Sequence, residues 1–486
     1  MAKRTAIIDI GSNSVRMVIF ERTSRFAFHL IHETKSRVRI SERAYENGNA
    51  LQEEPVERAY KALEEFLLTI KHYKVRKTLC VATSALRDAP NKQTFISRIK
   101  KELGLHIKVI NGEEEAYLGG IAAANLLHLQ SGLTADIGGG STELAVYDNK
   151  KVQHTVSLNL GTVRLKELYF DNGNIEGAKN YIRAELAKLP SVFKHNDIIG
   201  IGGTLRALSK IIMLKEDVAF KKLHGFSYSV SSQQSYFNEI LHADEKKLKK
   251  IGIKEERLDV IQPGVLILDL LIKHIEAKQI ITSGVGVREG VFLHDLLRTQ
   301  QDRFPSNYNP SVKSLLDRFG EERESELFSS ASKLFDISAE HLKIELSFKP
   351  LFLHAVKLSQ IGKEIDFYEG HRHAYYILLN GLNYGFSHSD TLLISTLVRY
   401  QRKKSPSSAH ISDYKHYLPS QETTNALSFL MNLSLSLFGE FNHGDDLSIT
   451  LSGECLSIRA KQRYLIHEKL KDIYSNDFLD ISICDL

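Results

Sequence analysis

Ile7-Ile-Asp-Ile-Gly-Ser-Asn-Ser-Val-Arg-Met-Val-Ile-Phe20 and Thr134-Ala-Asp-Ile-Gly-Gly-Gly-Ser-Thr-Glu-Leu-Ala-Val-Tyr147 align residue for residue and share the core Asp-Ile-Gly-x-x-Ser. In each copy an apolar run carries an aspartate near its end, passes through a turn of Gly, Ser and Asn, and resumes as a second apolar run. That pattern predicts a β-hairpin, and two such hairpins imply two similar half-domains facing each other.

Working outward, Val56, Ala59, Tyr60, Leu63, Phe66, Leu67 and Ile70 recur at helical spacing over Pro55 to Tyr73, with Pro55 suited to a first helical turn. Strands are expected at Lys77 to Ala82 and Ile107 to Ile110, then a helix over Glu113 to Gln130. After the second hairpin the pattern predicts a helix at Lys179 to Leu189, a strand at Ile198 to Ile201, helices through Ile275, and a strand-turn-helix at Ile280 to Gly290. Strands alternating with helices indicate an α/β architecture. The expected divisions are half-domain I at 1–125, half-domain II at 126–299, a polar linker with two prolines at 300–310, a mainly helical domain at 311–441, and a small α/β tail at 442–486. In the helical domain, helices are expected near Lys313 to Phe319, Glu324 to Phe335, Leu351 to Gly362, His373 to Gly385, Ser389 to Gln401 and Glu422 to Phe438. In the tail, Leu447 to Leu451 and Cys455 to Arg459 form a hairpin, followed by a helix and a final strand.

Composition bounds the class. With 42% hydrophobic and 25% charged residues among 486, the chain can bury substantial cores. The apolar run Val265 to Ile272 carries Asp269 and is too short to span a bilayer. Cys80, Cys455 and Cys484 are odd in number and widely spaced, which argues against a disulfide framework or a zinc cluster and fits a reducing cytoplasm. A net charge of +5 is compatible with a polyanionic ligand without demanding one.

The turns carry the chemistry. Gly11-Ser12-Asn13-Ser14 and Gly138-Gly139-Gly140-Ser141 leave successive backbone N–H groups free to converge on phosphate oxygens, and two facing turns would hold a phosphate chain from both sides. Asp9 and Asp136 are poor strand residues, which a magnesium or water-ordering role explains, the alternative being that each caps its own turn. Glu143 follows Asp136 on the returning strand, within reach of the same ion. A third turn, Gly200-Ile-Gly-Gly-Thr204, brings Gly202, Gly203 and Thr204 to a helix N-terminus, where partial positive charge favours anions. Ser283 to Gly286 repeats that design, although close packing alone also calls for glycine there. Asn111-Gly-Glu-Glu-Glu-Ala116 places three carboxylates at a helix start. Such acids ordinarily serve the helix dipole, whereas a carboxylate near phosphates is what a water-activating base requires. The residues alone leave both readings open.

Asp9-Ile-Gly-Ser-Asn-Ser14, Ala82-Thr-Ser-Ala-Leu-Arg87, Gly112-Glu-Glu-Glu-Ala116, Asp136 to Glu143, Gly200 to Thr204 and Val287-Arg-Glu-Gly290 together resemble the exopolyphosphatase and guanosine pentaphosphate phosphohydrolase (Ppx/GppA) family, in the family's order, over roughly residues 5–298. The resemblance implies two actin-like, ribonuclease H-like half-domains with a cleft between them. It implies Glu115 as catalytic base, with Glu114 the fallback, Arg87 reaching the phosphates across the cleft, and magnesium held by Asp136 and Glu143, with Asp9 beside them. It implies hydrolysis of terminal phosphates from inorganic polyphosphate or guanosine pentaphosphate, and a homodimer; neither DNA nor membrane is an expected partner. The C-terminal half resembles the family's helical domain, related to His-Asp phosphohydrolases, through Leu358 to Gly362, His371-Arg-His373 and Leu397 to Lys403. Ser359 and Gln360 stand where that relation requires His and Asp, and neither is a good metal ligand. His371 and His373 are then read as hydrogen-bonded helix residues. Arg399, Arg402, Lys403 and Lys404 could extend a basic track or simply end a helix. Two other functions share the glycine turns: a kinase transferring phosphate to a hydroxyl, and a non-catalytic sensor of guanosine tetraphosphate or polyphosphate.

Overall fold

The computed structural model describes residues 3–320, 325–402, 405–438, 447–453, 455–460, 468, 470 and 478–484. It divides into two compact units, Met1–Tyr308 and Asn309–Leu486.

The first unit is built on two sheets. Strands β1 (Lys3–Ile10), β2 (Val15–Arg22), β3 (Phe28–Ser36), β4 (Lys77–Ala82) and β5 (Ile107–Val109) lie in the order β3-β2-β1-β4-β5. Strands β6 (Gly132–Ile137), β7 (Thr142–Asp148), β8 (Lys151–Leu158), β9 (Asp197–Ile201), β10 (Ser227–Ser229) and β11 (Gln279–Thr282) repeat it as β8-β7-β6-β9-β11, with β10 added at the edge. Both repeats are antiparallel hairpins, pairing Ile10 with Val15 and Ile137 with Thr142. The duplicated topology agrees with two actin-like half-domains.

Strand alternation sets the layers. On β1, Ile8 and Ile10 join Met17, Leu63, Phe66 and Ile99 in a core between the first sheet and the helices Glu53–His72 and Lys92–Leu103. The opposite face meets the helix Val287–Leu297, whose Phe292 ring stacks 4.5 Å from that of Phe20. In the second half-domain, Leu133, Ile198, Leu205, Leu268 and Ile280 share one core, while Ala123, Ala124 and Ile199 form another on the far face.

The helix Gly112–Leu126 therefore covers the second sheet, packing on β7 and β8, although most of it falls in the segment assigned by sequence to half-domain I. Conversely, Val287–Leu297 follows the second sheet but packs on β1. The two helices cross between the sheets, where a Cβ on Gly290 would stand 2.0 Å from the Leu118 carbonyl oxygen. Local periodicity shows a helix but not which of two similar sheets it covers.

The stretch 300–310 read as a linker is tied down over its first part. Asn125 Nδ2 donates to the Asp302 carbonyl, Tyr117 Oη donates to the Asp302 carboxylate, and Asn309 caps the helix Pro310–Phe319.

The second unit contains the helices Ser325–Ser338, Lys349–Leu358, Gly370–Gly381, His388–Arg399 and Gln421–Phe438, and buries Phe335, Phe352, Leu397, Leu427 and Phe429. Strands β12 (Leu447–Ser452), β13 (Cys455–Ala460) and β14 (Asp480–Cys484) form the tail's sheet: the expected hairpin, then a strand parallel to β13. The helix expected between them falls largely outside the described residues, as do Lys403 and Lys404. Arg399 and Arg402 are engaged locally. Arg399 lies over the Tyr375 and Tyr400 rings, and Arg402 donates to the carbonyls of Phe367 and Tyr368. Ser359 and His371 are buried, and the His373 N–H continues its helix by donating to Glu369. Among the described residues, no helix is long and apolar enough to cross a membrane.

Candidate active site

The two hairpin turns close in the same way. Gly11 N–H donates to the Ser14 carbonyl at 3.2 Å, and Gly138 N–H to the Ser141 carbonyl at 3.0 Å. Those backbone bonds define each turn, and among the described residues neither Asp9 nor Asp136 caps its own turn. Among the described residues, the N–H groups of Ser12, Asn13, Gly139 and Gly140 donate to no backbone acceptor. Both turns open on one cleft enclosing about 160 Å³, lined also by Glu115, Gly202, Gly203, Thr204, Asp9, Asp136 and Glu143. Within these two turns, Gly140 alone is absent from that lining. It presses against the other half-domain, where a Cβ would meet Tyr45 Oη at 2.3 Å and Ser84 Oγ at 2.6 Å.

The third turn reaches the cleft as expected. Gly202 has φ +94°, and a Cβ there would lie 2.7 Å from Asp136 Oδ1, so only glycine fits both the backbone and the space. The helix Gly202–Lys215 starts without a side-chain cap, leaving its first N–H groups at the cleft. The fourth turn differs, because Glu289 accepts from Gly286 N–H at 2.8 Å and occupies that helix start itself.

Helical geometry separates the three glutamates. Asn111 caps the helix by accepting from Glu114 N–H at 2.7 Å. Glu114 turns away to pair with Lys108, and Glu113 is exposed. Glu115 is buried at the cleft. Arg87, on the short helix Ser84–Asp88, donates to Glu115 Oε2 at 2.8 Å and to Ser141 Oγ at 3.2 Å, and its guanidinium lies 3.8 Å from Glu143. It thus spans from the first half-domain to the second turn. Strand β8, absent from the sequence expectation, supplies Ser157, which donates to Glu143 Oε1 at 2.9 Å. Ser157 also accounts for Gly112, where a Cβ would stand 2.3 Å from it.

The cleft concentrates charge of both signs. Burial, reinforced by Glu143, raises the Glu115 carboxyl well above the usual range against the pull of Arg87. Burial raises Glu143 to about 7, with hydrogen bonding from Ser141 opposing and Asp136 adding to the rise. Asp136 is raised to about 6 by burial, and Asp9 is raised by burial against the pull of Arg288 and Arg16. The same cleft is lined by Arg16, Arg206, Arg257 and Arg288. Burial, aided by Arg16 and Arg288, pulls Arg206 down to about 10.

Sequence reasoning missed these four arginines as site residues, although three lie in or beside the motifs. Arg16 pairs across its hairpin with Asp9, as Glu143 does with Asp136, so the repeat places a cation and an anion at equivalent positions. Arg206 follows Thr204 by two residues, and Arg288 lies within Val287 to Gly290. Arg257 carries no comparable signal.

The donor set suits a hard cation. Among the described residues no three His, Cys, Asp or Glu side chains are grouped closely enough to hold a metal by themselves. Magnesium is ordinarily held by one or two carboxylates with waters and substrate phosphates, which Asp136 and Glu143 facing each other across β6 and β7 can provide.

Comparison with known proteins places this duplicated fold in a family. Residues 18–299 match the Ppx/GppA phosphatase family and residues 311–472 match Ppx/GppA phosphatase, domain III. The crystal structure of a Ppx/GppA family member from Aquifex aeolicus is 28% identical, covering 64% of this chain and 100% of its own, with a TM-score of 0.53. An exopolyphosphatase from Cytophaga hutchinsonii shares the fold at 24% identity, covering 60% of this chain and 98% of its own, with a TM-score of 0.56. With the first match spanning both sheets from β2 onward, and a second following it, the chain belongs to the Ppx/GppA phosphatase family.

Proposed function

We propose that this chain hydrolyses the terminal phosphoanhydride of inorganic polyphosphate or guanosine pentaphosphate, with Glu115 as the base. The observation that carries the reading is the position of Glu115: buried, at the cleft, and held by an arginine that also touches the facing turn. A carboxyl raised well above its usual range by burial accepts a proton more readily than a surface glutamate does.

In this reading, the free N–H groups of both turns and of the Gly202–Lys215 helix start hold the phosphate oxygens, and the arginines neutralise the rest of the chain. Glu115 takes a proton from water as its oxygen bonds to the terminal phosphorus. The bond to the bridging oxygen breaks, and the shortened chain leaves with that electron pair. Arg87 orients Glu115 and faces the charge developing on the transferred phosphoryl group. Asp136 and Glu143, with Asp9 nearby, would hold magnesium, which supplies positive charge to the phosphate oxygens when bound. The carboxylates and the arginines that line this cleft are both relieved by an anion arriving with a divalent cation.

The test is phosphate release with magnesium from long-chain polyphosphate and guanosine pentaphosphate, for the parent and Glu115→Gln. Release by the parent that falls about 10²–10⁴-fold in the variant supports the reading. No release by the parent from either substrate overturns it, and transfer to an added hydroxyl acceptor would identify a kinase.

A further inference from the structure

A second cationic cavity lies at the opposite end of the first sheet. β1 runs from this cavity at Lys3 to the cleft at Asp9, about 20 Å at the usual rise of a strand. The cavity encloses about 350 Å³ and is lined by Lys3, Arg4, Arg22, Arg25, Arg76, Lys77 and Arg298. Asp295 is the one carboxylate among the described lining residues, and it pairs with Lys77. Arg4 is engaged with Glu21 and the Tyr73 carbonyl. Arg22, Arg25 and Arg298 have no carboxylate partner among the described residues; Arg22 Nη2 donates to the Arg25 carbonyl, while its Nε is buried without a hydrogen-bond partner. Cations gathered in a concavity repel one another unless an anion enters it.

The lining also indicates which anion. A nucleotide or single-stranded nucleic acid is usually held by stacking its bases on open aromatic faces. Both aromatic residues here are committed elsewhere. Phe292 is packed between Phe20 and Phe28, and Phe26 is buried against Tyr308 with the Arg25 guanidinium over its ring. What remains is guanidinium and ammonium chemistry suited to several phosphates in series without a base.

We propose that this cavity is a second anion site that binds an inorganic phosphate chain, separate from the cleft. The inference goes beyond the hydrolytic reading and does not depend on it.

The test is calorimetric titration of the full chain with tripolyphosphate at low ionic strength in EDTA, comparing the parent with Arg25→Glu/Arg298→Glu. Both side chains are exposed, so the fold should survive, and an unchanged circular dichroism spectrum and melting temperature would check that. Expected is the loss of one binding equivalent, or a drop of about tenfold or more in its affinity, from whatever total the parent shows. If the cleft does not bind under these conditions, the parent shows one equivalent and the variant none, which still supports the cavity. Long-chain polyphosphate should displace tripolyphosphate from this site. Parent-like binding by the double variant would overturn the proposal, as would displacement by a short single-stranded RNA but not by polyphosphate.

Discussion

Two adjacent glutamates have opposite surroundings because a helix turns about 100° per residue. Glu114 pairs with Lys108 outside the cleft, and Glu115 meets Arg87 within it. Glu114→Gln should accordingly keep phosphate release within about threefold of the parent under conditions where Glu115→Gln loses orders of magnitude. A second prediction concerns Glu143 and Asp136, whose folded-state values of about 7 and about 6 lie above the ordinary 4.5 and 3.8. Between those limits the folded protein keeps protons that the unfolded chain has released. The stability these groups contribute is complete below about pH 4 and is lost as pH rises through 6 to 7. Without divalent cations at pH 8, Glu143→Gln should therefore melt about 2–4 °C above the parent, and the gap should close by pH 4. Magnesium should raise the melting temperature of the parent more than that of the variant. A variant that melts below the parent at pH 8 would contradict this account of the buried charge.

At the scale of elements, close approaches that only glycine permits hold the site together. The helix carrying Glu115 is fixed at its start by Gly112 against Ser157 and near its middle by Gly290 of the crossing helix against Leu118. Gly290→Ala forces backbone apart rather than a flexible side-chain end. It should cost about 1–3 kcal/mol in urea unfolding and lower phosphate release by displacing Glu115. Gly202→Ala adds backbone strain at φ +94° to a clash with the Asp136 carboxylate. If that carboxylate helps to hold magnesium, this variant should raise the magnesium concentration needed for half-maximal release more than Gly290→Ala does.

For the whole molecule, the described hydrophobic clusters of residues 6–281 belong to the first unit alone, and the second unit has its own buried aromatic residues. The Aquifex aeolicus relative, matched over its full length, covers only 64% of this chain. Residues 1–308 alone should then unfold cooperatively in urea, with near-ultraviolet circular dichroism and fluorescence giving the same midpoint. Non-coincident transitions, or an aggregated fragment, would show that the second unit is needed to complete the first.

The sequence by itself determined the duplicated hairpin, the α/β class, the two N–H turns and the family, because each depends on residue types at short fixed spacing that backbone geometry converts directly into local structure. It also placed Asp9 and Asp136 at strand ends beside the turns. Tertiary structure alone decided which sheet the Gly112–Leu126 helix covers, that Gly140 faces the partner half-domain rather than open space, and that Arg16, Arg206, Arg257 and Arg288 converge on the cleft. It also separated Glu115 from Glu114, since a run of three first-turn acids reads the same whichever one points inward. Those outcomes depend on contacts between segments tens to hundreds of residues apart, and burial, which shifts the carboxylates upward, is a property of that packing and not of the chain's order.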